Sequence, residues 1–230
     1  MSVYSLTGNV VERAAKVLRE EGVRSFWFKL LREIGCYHRT LLRERLLEEP
    51  IPDITSRLPV TIDLLKKTEV NEYLAFHTEA EPLRIAERFN SGHWCFVARH
   101  EGQIISACWA ATHRIWIPSL ACEIYLTQDE VYIYDSFTKP NFRRQYVSLA
   151  IRTEMMRYFR AVSYRRIISA VVPQNPNSQA SHKVGSRPFG MIGYIKIGPW
   201  RWNFYRTNKL NVSPRVNFPD IQQLLKHDSN

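Results

Sequence analysis

Residues 131–148 read VYIYDSFTKP and then NFRRQYVS. Tyr132, Tyr134 and Ser136 alternate with Val131, Ile133, Asp135 and Phe137, which predicts a half-buried strand with the two sets on opposite faces. Pro140 closes that strand in a turn. The basic pair Arg143-Arg144 then opens an amphipathic helix carrying Val147, Ala150, Ile151, Met155 and Tyr158 on one face. Strand, turn, basic residues and helix, in that order, put positive charge and unpaired backbone N–H groups at a helix N-terminus beside a strand end. The first helical turn and the helix dipole both attract anions, so a phosphate-bearing ligand fits there. The plainer alternative is a strand–turn–helix whose arginines face water.

The rest of the chain narrows the class. Of 230 residues 45% are hydrophobic and 12% aromatic, enough for a packed core and too apolar for a disordered chain. The net charge of +10 implies an acidic partner, such as nucleic acid, anionic lipid, a phosphorylated ligand or an acidic protein. No nucleic-acid motif accompanies that charge. Cys36, Cys95, Cys108 and Cys122 form no C-x-x-C pair, and the histidines lack i, i+4 pairing, so neither a metal nor a disulfide framework is expected. Met1 leads into a polar segment and no apolar run is long enough to span a bilayer, which points to a soluble protein in a reducing cytoplasm.

Three helical patterns are read in residues 1–52: Val10, Val11, Ala14, Val17 and Leu18; Phe26, Trp27, Leu30, Leu31 and Ile34; and Leu41, Leu42, Leu46 and Leu47 before Pro50. Their polar faces are basic, so they either pack on the domain or lie on an anionic membrane. From residue 59 the pattern becomes strand-rich. A strand is expected over 60–65, a helix over 81–89 with Pro82 in its first turn, and a hairpin joining 93–98 to 103–112 through His100-Glu101-Gly102. Further strands follow over 122–126, 131–137 and 166–172, then around Tyr194 and over 200–205. The expected organisation is an N-terminal helical extension (1–52), an α/β (α+β) domain (59–208) and an irregular tail (209–230).

Pro140-Asn141-Phe142-Arg143-Arg144-Gln145-Tyr146-Val147-Ser148, followed by Asn175-Pro176-Asn177-Ser178 through Lys183-Val184-Gly185, resembles the acyl-CoA-binding core of the GNAT superfamily of N-acyltransferases. The first stretch occupies the slot of the family's R/Q-x-x-G-x-G/A turn, with Arg143 at its first position. The resemblance implies a mixed, mostly antiparallel sheet with splayed central parallel strands, flanked by helices. It also implies an acyl-CoA or phosphopantetheine thioester as co-substrate, with no metal. Donor contacts would come from Phe137 and Thr138 on the strand, from Arg143, Arg144, Gln145, Tyr146, Val147 and Ser148 in the turn, and from Asn175 and Ser178. Tyr146 and Ser148 stand where the family has glycines. Either the turn still binds CoA with help from its arginines, or the donor arm is carried by an acidic acyl carrier protein, which the positive charge suits.

Acyl transfer from a thioester to an amine needs a proton acceptor, donors to the oxyanion and an acid for the thiolate. Asp135, the sole carboxylate in its apolar strand, is the first candidate base, and burial would raise its pKa; its alternative role is to hydrogen-bond a neighbouring turn. Glu123, His113, His182 and Tyr134 are the further candidates for the proton transfers. Trp94, Trp109, Trp116, Tyr132, Tyr134 and Phe137 either line a channel for a donor longer than acetyl or fill the core. The acceptor is an amine on a small molecule or peptide. Two other functions compete: a non-catalytic GNAT-like binding module, favoured by the missing glycines, and a peripheral membrane enzyme acting on a lipid-linked amine.

Overall fold

The computed structural model describes residues 30–31, 34–173, 184–207 and 215–218. Within them the chain runs through β1 (Tyr37–Leu46), β2 (Thr61–Leu64), α1 (Val70–Phe76), α2 (Pro82–Asn90), β3 (Trp94–His100), β4 (Gln103–Ala111), β5 (Arg114–Ile117), β6 (Cys122–Tyr125), β7 (Glu130–Thr138), α3 (Val147–Ala161), β8 (Arg166–Val171), β9 (Arg187–Ile197), β10 (Trp200–Thr207) and β11 (Arg215–Asn217). Eight strands form one sheet in the order β10-β9-β1-β8-β7-β4-β3-β2, and β11, β6 and β5 form a second. The large sheet is antiparallel throughout except between β7 and β8. That is the mixed, mostly antiparallel architecture expected.

Local chemistry accounts for several elements. The β3–β4 hairpin turns on Glu101 and Gly102, both at positive φ (50° and 76°), the conformation of a two-residue turn that matches strand twist. Pro82 sits in the first turn of α2, where its missing N–H costs nothing. Helix α3 presents Val147, Ala150, Ile151, Met155 and Phe159 to one face of the sheet, against Val131 and Ile133 of β7 and Ile167 of β8. On the opposite face α1 and α2 bury Tyr73, Phe76 and Ile85 over Val97, Ala107 and Trp109. The second sheet covers the rest of that face, packing Ile115, Cys122 and Ile124 against Leu42, Tyr132, Ile168 and Ile192.

The third helix expected in the N-terminal extension is instead the strand β1, lodged between β8 and β9 and antiparallel to both. Leu41, Leu42, Leu46 and Leu47 fit a helical stripe, and the intervening Arg and Glu are good helix formers. The sheet overrides that propensity because β1 fills a gap between two strands that would otherwise each expose a row of unpaired backbone groups. Its charged centre is buried: Glu44 contacts Arg166 of β8 at 2.8 Å, and Arg166 in turn bonds Glu130 of β7 at 2.8 Å. The helical extension therefore does not run to residue 52. The first two N-terminal patterns lie outside the described residues apart from Leu30 and Leu31, which are helical, and Ile34, in the turn that follows. The tail is not wholly irregular either, since β11 pairs with β6 through Val216 and Ile124.

Candidate active site

The parallel ladder between β7 and β8 runs from Glu130↔Arg166 to Ile133↔Ser169 and ends there, although β7 continues to Thr138 and β8 to Val171. Beyond Ile133 the ladder stops, and among the described residues the β8-side edge of β7 has no further ladder partner. On its other edge β7 bulges. Trp109 of β4 pairs with Tyr134, but Ala107 pairs with Phe137, so three steps along β7 match two along β4. Asp135 sits in the bulge at φ 44°. The extra residue inverts the side-chain alternation: Tyr134 and Phe137 lie on the same face, both against the α1–α2 cluster, where alternation placed them on opposite faces. It also turns Asp135 outward. Asp135 is exposed rather than buried, and its Oδ2 is 2.5 Å from Nη1 of Arg88 on α2. The burial that would raise its pKa is absent because the bulge leaves the extra residue outside the ladder, at the exposed rim of the α1–α2 face beside Arg88.

After β7, a single 3-10 turn at Pro140–Phe142 leads to a loop in which Arg144 (φ 64°) and Tyr146 (φ 60°) are both left-handed. Tyr146 is the N-cap of α3, and the first helical hydrogen bonds run from Leu149 and Ala150 to its carbonyl. The N–H groups of Val147 and Ser148 precede them in the first turn, where a helix supplies no partner of its own. Arg143 and Arg144 are exposed beside it, and Arg143 Nε donates to the Thr138 carbonyl at 3.2 Å, tying the loop to the end of β7. The loop backbone is held from outside: the Arg57 N–H and the Ser56 hydroxyl both donate to the Gln145 carbonyl, at 2.9 and 3.2 Å. The Tyr146 ring is covered by the Arg57 guanidinium at 4.7 Å and packs against the α3 core. A left-handed N-cap is where glycine is free of strain, so the loop keeps a glycine-like backbone while its tyrosine is clamped by Arg57. Strand end, left-handed loop, exposed arginines and free helix N-terminus therefore fit a pyrophosphate-bearing donor.

A polar cluster lies on the α1–α2 face at the point of divergence. His93 Nδ1 is 2.6 Å from the Tyr134 hydroxyl. The Arg88 guanidinium, besides pairing with Asp135, stacks over the rings of Trp109 and Tyr134 at 5.0 and 5.1 Å. Burial pushes the Tyr134 phenol far above its usual value and lowers His93, with the Arg88 charge lowering His93 further.

The profile of the acetyltransferase (GNAT) family matches residues 62–185, more than half of the 230. The chain belongs to the GNAT acetyltransferase family. Among solved structures, a GCN5-related N-acetyltransferase from Sphaerobacter thermophilus aligns with 12% identity and a TM-score of 0.53, covering 82% of this chain and 59% of that one. A glucosamine N-acetyltransferase region of a fungal multi-domain GH3 β-N-acetylglucosaminidase aligns with 12% identity and a TM-score of 0.51, covering 71% of this chain and 21% of that one. A functionally unknown conserved protein from Staphylococcus epidermidis aligns with 16% identity and a TM-score of 0.45, covering 72% of this chain and 64% of that one. The chain thus spans less than two-thirds of the length of each of these. The two likenesses with TM-scores above 0.5 establish the fold. No curated protein matches the chain.

Within this GNAT protein the splay brings together Tyr134, Asp135, Phe137 and Thr138, the loop supplies Arg143 to Tyr146, and the first turn of α3 supplies Val147 and Ser148. Glu123 lies on β6 in the second sheet, taking a hydrogen bond from Tyr125 and facing Arg114 at 3.5 Å. His113 is exposed in the β4–β5 turn. His182, Asn175 and Ser178 lie outside the described residues. The tryptophans do not form a channel: Trp109 is buried and donates to the Tyr73 hydroxyl, and Trp94 packs against Tyr158 and Phe159. Arg88 and His93 are the additions that sequence reading missed. His93 meets a partner 41 positions away, and no local spacing signals such a contact.

Proposed function

We propose that the protein is an N-acyltransferase that moves an acyl group from a CoA thioester to an amine by direct attack with general-base assistance. One observation carries the reading: the divergence of β7 from β8 beyond Ile133 opens directly onto the glycine-like loop and the free N-terminus of α3. A thioester arm running along the open edge of β7 meets the backbone N–H of Thr138, since Phe137 directs its own toward β4, while its diphosphate sits on the first turn of α3 beside Arg143 and Arg144. The acyl carbonyl then lies near Tyr134 and Asp135. An amine reaching it from the α1–α2 face passes the Arg88–Asp135 pair, whose carboxylate attracts a cationic acceptor. The reading places the protein in a reducing cytoplasm and takes a small molecule or peptide as the amine's source.

Replacing Arg143 and Arg144 with Ala tests the donor site. Their contacts are exposed and charge-assisted, so CoA affinity is expected to fall about tenfold or more at low salt and much less at high salt. Equal affinity of variant and wild type at both ionic strengths would remove the phosphate site. A carrier-protein donor is favoured instead if free CoA binds weakly while a phosphopantetheinylated acidic carrier binds well.

A further inference from the structure

We propose that Tyr134 and His93 form a proton relay for the acyl transfer, Tyr134 Oη taking the amine's proton as its own passes to His93 Nδ1. The proposal rests on the acyl-transfer reading and adds to it the group that finally holds the proton, supplied from the loop that leads into β3. Tyr134 is the first β7 residue beyond the last rung to β8, so it stands where the strands part, and it is only partly buried. Its hydroxyl is 2.6 Å from His93 Nδ1. In the imidazole tautomer that carries its proton on Nε2, Nδ1 is an acceptor and the Tyr134 hydroxyl donates to it. The relay uses that tautomer, which directs the proton from tyrosine to histidine.

Tyrosine cannot act alone here. Burial raises its phenol far above neutrality, against a smaller opposing effect of Arg88, so a free tyrosinate is not at hand. It can accept the amine's proton only while giving up its own. His93 is prepared to receive it, because burial and Arg88 keep the ring neutral at pH 7. The charged and titratable groups around the pair are Tyr73 of α1, Glu87 and Arg88 of α2, His113 of the β4–β5 turn, Arg114 of β5, Cys95 of β3 and Asp135 of β7. In the step, the amine lone pair forms the C–N bond at the thioester carbonyl. One amine proton moves to Tyr134, the Tyr134 proton moves to His93, and the ring becomes imidazolium. The tetrahedral intermediate collapses with its C–S bond broken and the electron pair on sulfur, and the imidazolium returns its proton to the thiolate or to water.

Tyr134→Phe, His93→Gln and the double variant test the relay. Thiol release from acetyl-CoA is followed with an amino sugar, a polyamine and a peptide bearing a free N-terminus, and CoA binding is measured by equilibrium dialysis. Gln at 93 can still accept from Tyr134 but cannot take up a proton. Each single variant is expected to bind CoA as wild type does and to lose about 100-fold or more in kcat/KM. The double variant is expected to be no slower than the worse single one. Wild-type kcat/KM is expected to fall as pH drops through the His93 pKa, which burial holds below the usual histidine value, and that acid limb is expected to vanish in His93→Gln. A single variant with wild-type rate, additive losses, or an acid limb unchanged in His93→Gln overturns the relay. Wild-type protein that binds CoA but releases no thiol above buffer with any of the amines overturns it too, leaving a binding module. Failure of the wild type to bind either CoA or a phosphopantetheinylated acidic carrier overturns the acyl-transfer reading beneath it.

Discussion

Tyr146 shows how one residue can satisfy a backbone requirement with the wrong side chain. A left-handed φ costs an L-residue about 1–2 kcal/mol, and the Arg57 guanidinium over its ring returns part of that, about 0.5–1 kcal/mol. Tyr146→Gly relieves the strain and loses the ring, so its unfolding free energy is expected to stay within about 1 kcal/mol of wild type. Tyr146→Val keeps the strain, adds a β-branch and loses the ring, and is expected to cost about 2 kcal/mol or more. Urea unfolding of the two variants decides the matter: equal stabilities would mean that the loop does not depend on the left-handed backbone. Tyr146 and Ser148 were visible in the sequence as departures from the family's glycines. Their consequence was not, because the clamp comes from Arg57, in a segment remote along the chain.

At the scale of elements, the pairs that hold β1 decide the register of four strands. Glu44 is 1% exposed; one carboxylate oxygen is 2.8 Å from Arg166 Nη2, a charge contact off the hydrogen-bond angle, and the other is 3.5 Å from Arg187 of β9. Arg166 reaches on to Glu130 of β7. Removing Glu44 takes one of Arg166's two carboxylates and leaves Glu130 as the other, so Glu44→Ala is expected to lower stability by about 1–3 kcal/mol, read from the midpoint of chemical denaturation at unchanged slope. A loss below about 1 kcal/mol would show that the network is solvated. The helices and hairpins with strong local signals, α2, α3 and β3–β4, were legible from periodicity and turn chemistry. The strand β1 was not, because Arg, Glu and Leu favour a helix in isolation and only the vacant edges of β8 and β9 make it a strand.

For the whole molecule, donor binding should be visible in stability. A ligand that binds only the folded state at 100 times its dissociation constant adds about 2.7 kcal/mol, which for a chain of this size raises Tm by about 5–10 °C. Acetyl-CoA is expected to produce that rise in a thermal scan. The variant with Arg143 and Arg144 both replaced by Ala is expected to show a smaller one at the same ligand concentration. No rise in the wild type under saturating CoA would count against the donor site. The exposed edge of the large sheet has a different character: Trp200 and Trp202 of β10 face Ile197 and Ile195 of β9 with more than 40% of each surface open.

What the sequence determined by itself is what short-range physics can encode. The alternation of β7, the proline turn, the basic residues ahead of α3 and the apolar face of that helix all lie within one continuous stretch, and they were enough to indicate a sheet and the family and to suggest where a phosphate would bind. Tertiary structure decided the rest. Whether residues 37–46 form a helix or a strand depended on two partner edges. Whether Asp135 is buried depended on a bulge set by register with β4. Whether Tyr134 has a proton acceptor depended on His93, which reaches it only because the β3–β4–β7 pairing folds the chain back on itself. Such features arise from contacts between residues far apart along the chain, and local propensity carries no record of them.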